Sequence, residues 1–153
     1  MRLEYARAFP AAVQAMLGLE QAVHQSSLEP ALIELVKVRA SQLNACGFCL
    51  EMHTKDAIAQ GESNDRLHLV AAWREAPLFT PRERAALRWC EELTLLPQCG
   101  ASDAAYEELA SVFREDECVA LTLAIVAING WNRFAVGFRS RVGNYTPHAR
   151  ASQ

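Results

Sequence analysis

Residues 44–57 (NACGFCLEMHTKDA) contain two cysteines in C-x-x-C spacing, with a histidine four residues after the second. In a compartment that keeps thiols reduced, such a pair is more often catalytic or metal-binding than a permanent crosslink. A closed zinc site built on Cys46, Cys49 and His53 would need a fourth ligand. The sequence has no second C-x-x-C and no H-x-x-x-H to provide one. The spacing therefore favours redox chemistry over metal binding or an inert pair.

The same segment suggests how one thiol could be activated. Only the thiolate is nucleophilic, and an ordinary cysteine has a pKa of about 8.5. The unpaired N–H groups of a helix start would favour the anion of Cys49. His53, one helical turn later, could take the proton, and Glu34 could orient the imidazole. A thiolate oxidised by a peroxide becomes a sulfenic acid, which Cys46 could convert to a disulfide.

Helices must position these groups, and the sequence predicts an all-α protein. Thr80, Pro81 and Glu83 form a capping box followed by apolar residues at helical spacing, and strand patterns are absent. Short connections predict antiparallel neighbours. An αα-hairpin would place Glu34 about 16 Å and His53 about 10 Å along its two arms. The predicted helices cover residues 10–25, 30–44, 46–60, 64–75, 80–96, a short stretch after Ser102, and 115–138.

Length and composition limit the class of protein. A chain of 153 residues is most simply a single domain over 1–153, large enough to fold without a metal or disulfide. The net charge of −3 argues against a nucleic-acid partner. Charges and a proline near the N-terminus argue against a secretory signal, and the apolar run 119–128 is too short to span a bilayer. We therefore expect a cytoplasmic protein without a membrane partner.

The apolar run 119–128 (VALTLAIVAI) carries a second expectation. A helix that is apolar almost all the way round must be surrounded by protein. The middle of the bundle or a subunit interface would serve, so homo-oligomerisation is expected.

Residues 34–57 (ELVKVRASQLNACGFCLEMHTKDA) resemble the signature of the AhpD-like alkylhydroperoxidase family, within the carboxymuconolactone decarboxylase superfamily. That pattern is a glutamate, twelve residues to the first cysteine, C-x-x-C, and a histidine four residues beyond. Glu34, Cys46, Cys49 and His53 match every position, within a signature segment of 30–61. Residues 76–89 and 128–138 also look like family segments, so the resemblance covers most of the chain.

The resemblance implies one AhpD-like bundle of about six to seven helices, with the C-x-x-C at the start of a helix in an αα-hairpin. It also implies a trimer or hexamer that reduces alkyl or organic hydroperoxides without a cofactor, using electrons from a dithiol or lipoyl-type protein. In the family, the residue at Cys49 attacks, the one at Cys46 resolves, and those at Glu34 and His53 relay protons. The best-known member has a histidine between the cysteines, where this chain has Gly47 and Phe48.

Two other functions remain open at this point. One is a thiol–disulfide reductase or redox-sensing module with little peroxide turnover, and the other is a zinc-stabilised binding protein. The sequence assigns no chemistry to the remaining cysteines and histidines, which are Cys90, Cys99, Cys118, His24, His68 and His148. A polar group within the last predicted helix could line a pocket, but more often satisfies backbone or an interface: Trp131, Asn132 and Arg133.

Overall fold

The computed structural model describes residues 1–147, and these contain nine α-helices, one short 3₁₀ helix and no strand. The all-α prediction is confirmed. His148 lies outside the described residues. The α-helices are α1 (Tyr5–Ala8), α2 (Pro10–His24), α3 (Pro30–Leu43), α4 (Gly47–Ala59), α5 (Asn64–Leu69), α6 (Pro81–Thr94), α7 (Leu96–Cys99), α8 (Asp103–Ala110) and α9 (Glu115–Phe138), with the 3₁₀ helix Val70–Ala72 after α5.

The helix count exceeds the predicted six to seven because α1 and α7 are four-residue helices that the apolar periodicity did not reveal. The helix predicted for residues 64–75 is also shorter than expected and continues as the 3₁₀ turn. The capping box of α6 is confirmed. The Thr80 hydroxyl accepts a hydrogen bond from the Glu83 N–H at 3.2 Å, and the Thr80 N–H donates to the Glu83 carboxylate at 2.7 Å.

Helices α3 and α4 form the predicted hairpin, which turns sharply at Ala45. The Cys46 N–H donates to the Ser41 carbonyl at 2.9 Å and the Ala45 N–H to the Gln42 carbonyl at 3.1 Å, the two bonds of a Schellman motif. Ala45 adopts the left-handed conformation, with φ of 50°, that glycine usually occupies. The nearby Gly47 lies outside this turn, as the first residue of α4.

Helix α3 lies at the centre of the bundle and packs against α4, α6 and α9. Nine of its fourteen residues are buried, among them Glu34 and Lys37. Helix α2 packs on α9, which itself packs against both helices of the hairpin. The site segment is therefore held from several directions, with α3 as the fixed element.

Helix α9 is only partly surrounded within one chain. Leu121, Ile125 and Ile128 are buried, but Val119 is 70% exposed and Val126 is 53% exposed. By length and composition α9 could cross a membrane. The core helix of a soluble protein meets the same two criteria. Its buried face packs on α2, α3 and α6, and its first turn carries three acidic residues.

A buried carboxylate fastens α3 to α6 and to the segment after α5. Glu91 on α6 accepts hydrogen bonds at 2.8 Å from the Arg39 Nε of α3 and from the Trp73 indole N–H, and it also pairs with Arg74. Burial favours a higher pKa for Glu91, but the hydrogen bonds and the arginine charges lower it below its ordinary value. Glu91 therefore remains ionised and links three elements around α3.

We expect Glu91→Ala to destabilise the protein by about 3 kcal/mol, because the change leaves a largely buried arginine without its counter-charge. Denaturant unfolding followed by circular dichroism measures the loss. Glu107→Ala, at an exposed position on α8, is the matched control and should change stability by less than about 0.5 kcal/mol. Equal stabilities for the two variants would show that the Glu91 cluster does not hold α3 in place.

Candidate active site

The hairpin brings Glu34 of α3 and His53 of α4 into direct contact. His53 Nδ1 lies 2.9 Å from Glu34 Oε2, and the two residues are 5% and 6% exposed. Burial alone would raise the pKa of Glu34, but the hydrogen bond and charge of His53, together with the charge of Lys37, lower it below its ordinary value. The Glu34 carboxylate is thus the ionised partner of the imidazole, as the spacing predicted.

The second nitrogen of His53 has no such partner. Nε2 is buried, and no described group hydrogen-bonds to it. When Nδ1 carries its proton toward Glu34, a neutral imidazole presents Nε2 as an acceptor. Buried polar atoms usually have a partner in protein, water or ligand. His53 therefore offers an unpaired nitrogen, one helical turn after Cys49 on the same helix.

Cys46 and Cys49 lie together at the start of α4, in the reduced state and at most 1% exposed. Cys46 is the N-cap, and its Sγ accepts a hydrogen bond from the Cys49 N–H at 3.4 Å. A hydrogen bond from the Cys49 thiol, assisted by backbone N–H groups, lowers the pKa of Cys46 to about 7 against the effect of burial. The same thiol–thiol bond, together with burial, raises the pKa of Cys49.

This distribution of charge differs from the sequence-based expectation. The spacing predicted that the helix start would stabilise the anion of Cys49, but α4 begins at Gly47 and its N-terminal N–H groups serve the capping residue Cys46. Of the two thiols, Cys46 therefore has the lowered pKa and Cys49 the raised one.

Asn132 of α9 is a further polar partner of the two thiols. It is 1% exposed, its Oδ1 accepts from Asn44 Nδ2 at 2.9 Å, and its Nδ2 donates to Ser41 Oγ at 3.2 Å. Its hydrogen bonding favours the ionised forms of both Cys46 and Cys49. The sequence analysis did not assign Asn132 to the site. The available signal was a polar residue on the buried face of an apolar helix, which does not reveal the partner it meets.

A cavity of about 1070 Å³ lies against these groups. Cys49, His53 and Glu34 line it, whereas Cys46 is not among the described lining residues. Its walls come from α1, α2, α3, α4, α9 and the segment after α9. The apolar part of the lining is formed by Tyr5, Leu17, Phe48, Met52, Ala59, Trp131, Ala135, Tyr145 and Pro147.

A third acidic group stands near the relay pair. Among the described residues, Glu34, His53 and Asp56 offer ligand atoms within 4.8 Å of one another, a spacing that could hold a metal ion. This set differs from the zinc ligands considered from sequence, which were the two thiols with His53. Two contacts within the protein already involve these groups, since His53 Nδ1 bonds to Glu34 and the Tyr145 hydroxyl donates to Asp56 at 2.8 Å. All three residues line the cavity.

The remaining cysteines lie away from the pair. Cys90 is buried in the core, where burial raises its pKa to about 12. Cys118 is also buried and lines a second, apolar cavity of about 530 Å³ between α6, α8 and α9, and Cys99 is exposed.

Of the other residues considered from sequence, the fold places two at the larger cavity and two at the surface. His24 and Trp131 line the larger cavity, and the Trp131 indole N–H donates to Glu20 at 3.1 Å. His68 and Arg133 are exposed and are absent from the described lining of this cavity.

Comparison with known proteins identifies the family. The model of the carboxymuconolactone decarboxylase family matches residues 9–92. The uncharacterised protein YdfG of Bacillus subtilis is 36% identical over 143 residues, which cover 94% of this chain and 97% of YdfG.

Two solved structures share the fold. One, from Agrobacterium tumefaciens, is a protein of unknown function described as a candidate antioxidant defence protein AhpD. It is 44% identical, with a TM-score of 0.90, and the match covers 94% of this chain and 99% of that one. The apo structure of the debrominase Bmp8 is 17% identical, with a TM-score of 0.79 and coverage of 88% and 73%, a likeness of fold alone. The chain thus belongs to the carboxymuconolactone decarboxylase family and has the AhpD-like fold.

Proposed function

We propose that the protein is a thiol-dependent peroxidase that reduces alkyl or organic hydroperoxides through Cys49 and Cys46, with His53 and Glu34 as the proton relay. One observation carries the proposal. Cys49 lines a large cavity together with the His53–Glu34 pair, and the sulfur of a second cysteine, Cys46, accepts a hydrogen bond from the Cys49 N–H. The likeness to a candidate antioxidant defence protein supports the same reaction class.

The first step creates a thiolate. Nε2 of His53 takes one proton from the pair, directly or through a water, and Glu34 stabilises the imidazolium that forms. The negative charge rests first on Cys46, where the helix start favours it. Transfer of the shared proton from Cys49 to Cys46 then places the charge on the sulfur that faces the cavity.

The second step is the reduction of the peroxide. The Cys49 thiolate attacks the terminal oxygen of R–O–O–H, so that an S–O bond forms and the O–O bond breaks. The leaving alkoxide takes the proton from His53 Nε2 and departs as an alcohol. Two electrons pass from sulfur to the peroxide, and Cys49 becomes a sulfenic acid.

The third step closes the pair. His53 accepts the Cys46 proton, the Cys46 sulfur attacks the Cys49 sulfur, and an S–S bond replaces the S–OH bond. The departing hydroxide takes that proton and leaves as water. An external dithiol, free or lipoyl-type, then reduces the disulfide by thiol–disulfide exchange and is itself oxidised.

The residues between the cysteines distinguish this chain within the proposal. Gly47 is the first residue of α4, and Phe48 lines the cavity, so no imidazole stands between the two thiols. His53 must therefore serve both as base in the first step and as acid in the second. A cytoplasmic location and a homo-oligomer, a trimer or hexamer that covers the exposed valines of α9, belong to the same proposal.

The alternative functions predict different results with the same protein. A thiol–disulfide reductase or redox sensor would form the Cys46–Cys49 disulfide reversibly but consume little peroxide. A zinc-stabilised protein would bind one zinc per chain and lose thiol reactivity until chelation. These outcomes separate the alternatives without any knowledge of the physiological substrate.

We expect Cys49→Ser to abolish reduction of cumene hydroperoxide in the presence of dithiothreitol, because the attacking sulfur is lost. Cys46→Ser should allow the first oxidation of Cys49 but prevent disulfide formation. Peroxide consumption and peptide mapping measure the two effects. Cys99→Ser, which removes an exposed thiol, is the control and should retain full turnover. Full turnover by the Cys49→Ser protein would refute the proposal.

We expect His53→Gln and Glu34→Gln each to lower kcat between about 10²- and 10⁴-fold, the range for loss of a general acid or base. In the proposed mechanism, His53 Nε2 takes up the proton in the first step and protonates the alkoxide in the second, and Glu34 supports both transfers. Steady-state kinetics give the values. His68→Gln, at an exposed position on α5, is the matched control. A His53→Gln protein as active as wild type would place the relay elsewhere.

We expect the thiolate of the pair to appear as the pH rises through about 7, because the pKa of Cys46 is lowered to about that value. Below this pH the pair is protonated, and alkylation should slow. Ultraviolet thiolate absorbance in a Cys99→Ser background follows the titration. Cys49→Ala removes the thiol that donates to Cys46, so the inflection should move toward the ordinary value of about 8.5. If the inflection lay at the same pH in the wild type and in Cys49→Ala, the assigned hydrogen bond from Cys49 to Cys46 would be contradicted.

A further inference from the structure

A second buried polar atom without a partner belongs to another residue of the cavity wall. Gln60, the C-cap of α4, lines the cavity, and its Oε1 is buried with no hydrogen-bond partner among the described residues. It follows His53 by seven residues, two turns of helix, which separates their backbone positions by about 10 Å. The cavity therefore has an unused acceptor at Gln60 and an unused nitrogen at His53 Nε2, on one helix.

Such atoms indicate what the cavity takes up. Leaving a buried acceptor unpaired is costly, and native structures supply water or a ligand group instead. A carboxamide oxygen accepts hydrogen bonds, so the complementary group is a donor such as a hydroxyl. Since His53 stands about two turns away and Cys49 about three, this donor must belong to a part of the ligand remote from the reacting oxygens.

The charges of the wall select against an anionic ligand. Three carboxylates line the cavity, those of Glu20, Glu34 and Asp56, against the single ammonium of Lys37. Lys37 is already bonded to Glu20 and is 3% exposed. Asp56 receives the Tyr145 hydroxyl but is in no ion pair among the described residues. An anion entering here would therefore meet three carboxylates and a lysine that is already paired.

The size and lining of the cavity call for an apolar body. A volume of about 1070 Å³ is at the upper end of cavities that enclose drug-sized ligands. Leu17, Phe48, Met52 and Trp131 contribute apolar surface to the same lining. A ligand that reaches from Cys49 to Gln60 would bury a chain or ring system against these side chains.

We propose, on the basis of the peroxidase function above, that the substrate is an uncharged, largely apolar hydroperoxide with a hydrogen-bond donor about 10 Å from the peroxide oxygen that His53 protonates, and that Gln60 Oε1 accepts from this donor. Gln60 touches no reacting atom in this arrangement. It acts as a specificity-determining residue that fixes how far the substrate enters, and thereby places the peroxide at Cys49.

Three matched substrates test the proposal: octyl hydroperoxide, its ω-hydroxy derivative and its ω-carboxylate. We expect kcat/KM for the hydroxy compound to exceed that of octyl hydroperoxide by about three- to tenfold, the discrimination expected from one hydrogen bond to a buried acceptor. The carboxylate should be the poorest of the three. In Gln60→Leu the ratio of hydroxy to plain substrate should fall to about one, whereas Gln14→Leu, at an exposed position on α2, should preserve it.

Two results would overturn the inference: a hydroxyl preference that survives Gln60→Leu, or the carboxylate as the best substrate. Failure of the peroxidase proposal looks different, since none of the three hydroperoxides would then be turned over. In that case calorimetric binding of α,ω-octanediol and octanol to the Cys49→Ser protein decides the ligand class. A diol preference lost in Gln60→Leu supports it, and equal binding of diol and octanol refutes it.

Discussion

The hydrogen bond between His53 Nδ1 and Glu34 Oε2 is the interaction on which the site depends. It joins α3 to α4 across the hairpin at a point where both side chains are more than nine-tenths buried. Removing such groups from water is costly, and the cost is recovered only where geometry and additional charges are favourable. Lys37 supplies such a charge one turn from Glu34 on α3. The pair therefore requires a rigid α3, which the contacts with α6 and α9 provide.

The hairpin also divides two tasks between two sulfurs. The start of α4 stabilises negative charge on Cys46, whereas the cavity reaches Cys49. A single low-pKa thiol facing the cavity would be ionised and accessible at all times. In the proposed reaction, the sulfur of the cavity-lining Cys49 keeps its proton until that proton moves to Cys46. In the proposed reaction, the thiol–thiol hydrogen bond thus controls when the nucleophile appears, and the same contact leaves Cys46 in place for closing the disulfide.

The sequence was informative where local spacing decides the structure. Pro30 at the first position of α3, the capping box at Thr80 and the i, i+4 relation of Cys49 and His53 are local features, and the fold contains them as predicted. The hairpin required only a stop between two amphipathic helices. Its details were missed because Ala45, without a glycine's freedom, adopts the left-handed turn under the constraint of the packed arms.

The missed parts of the site depend on packing between distant segments. Asn132 bonds to Asn44 and Ser41 beside the thiols because α9 packs against the hairpin, and this packing has no signature in the spacing of either helix. The charge on Cys46 rather than Cys49 follows from where α4 begins, a shift of one residue that sequence patterns do not resolve. The cavity exists because α1, α2 and the segment after α9 stand around α4, so its volume was not predictable from the motif.

Within the proposed reaction, the burial of the His53–Glu34 pair explains what the large cavity beside it contributes. A peroxide group alone would need little space, and water filling the rest would weaken every charge interaction near Cys49. A substrate whose apolar body fills the cavity removes that water as it binds, so the His53–Glu34 pair acts in a low-dielectric site when the O–O bond breaks. Binding of the remote part of the substrate is thereby coupled to the strength of the relay. On this argument, selection for a bulky, uncharged hydroperoxide and activation of Cys49 are two effects of the same packing.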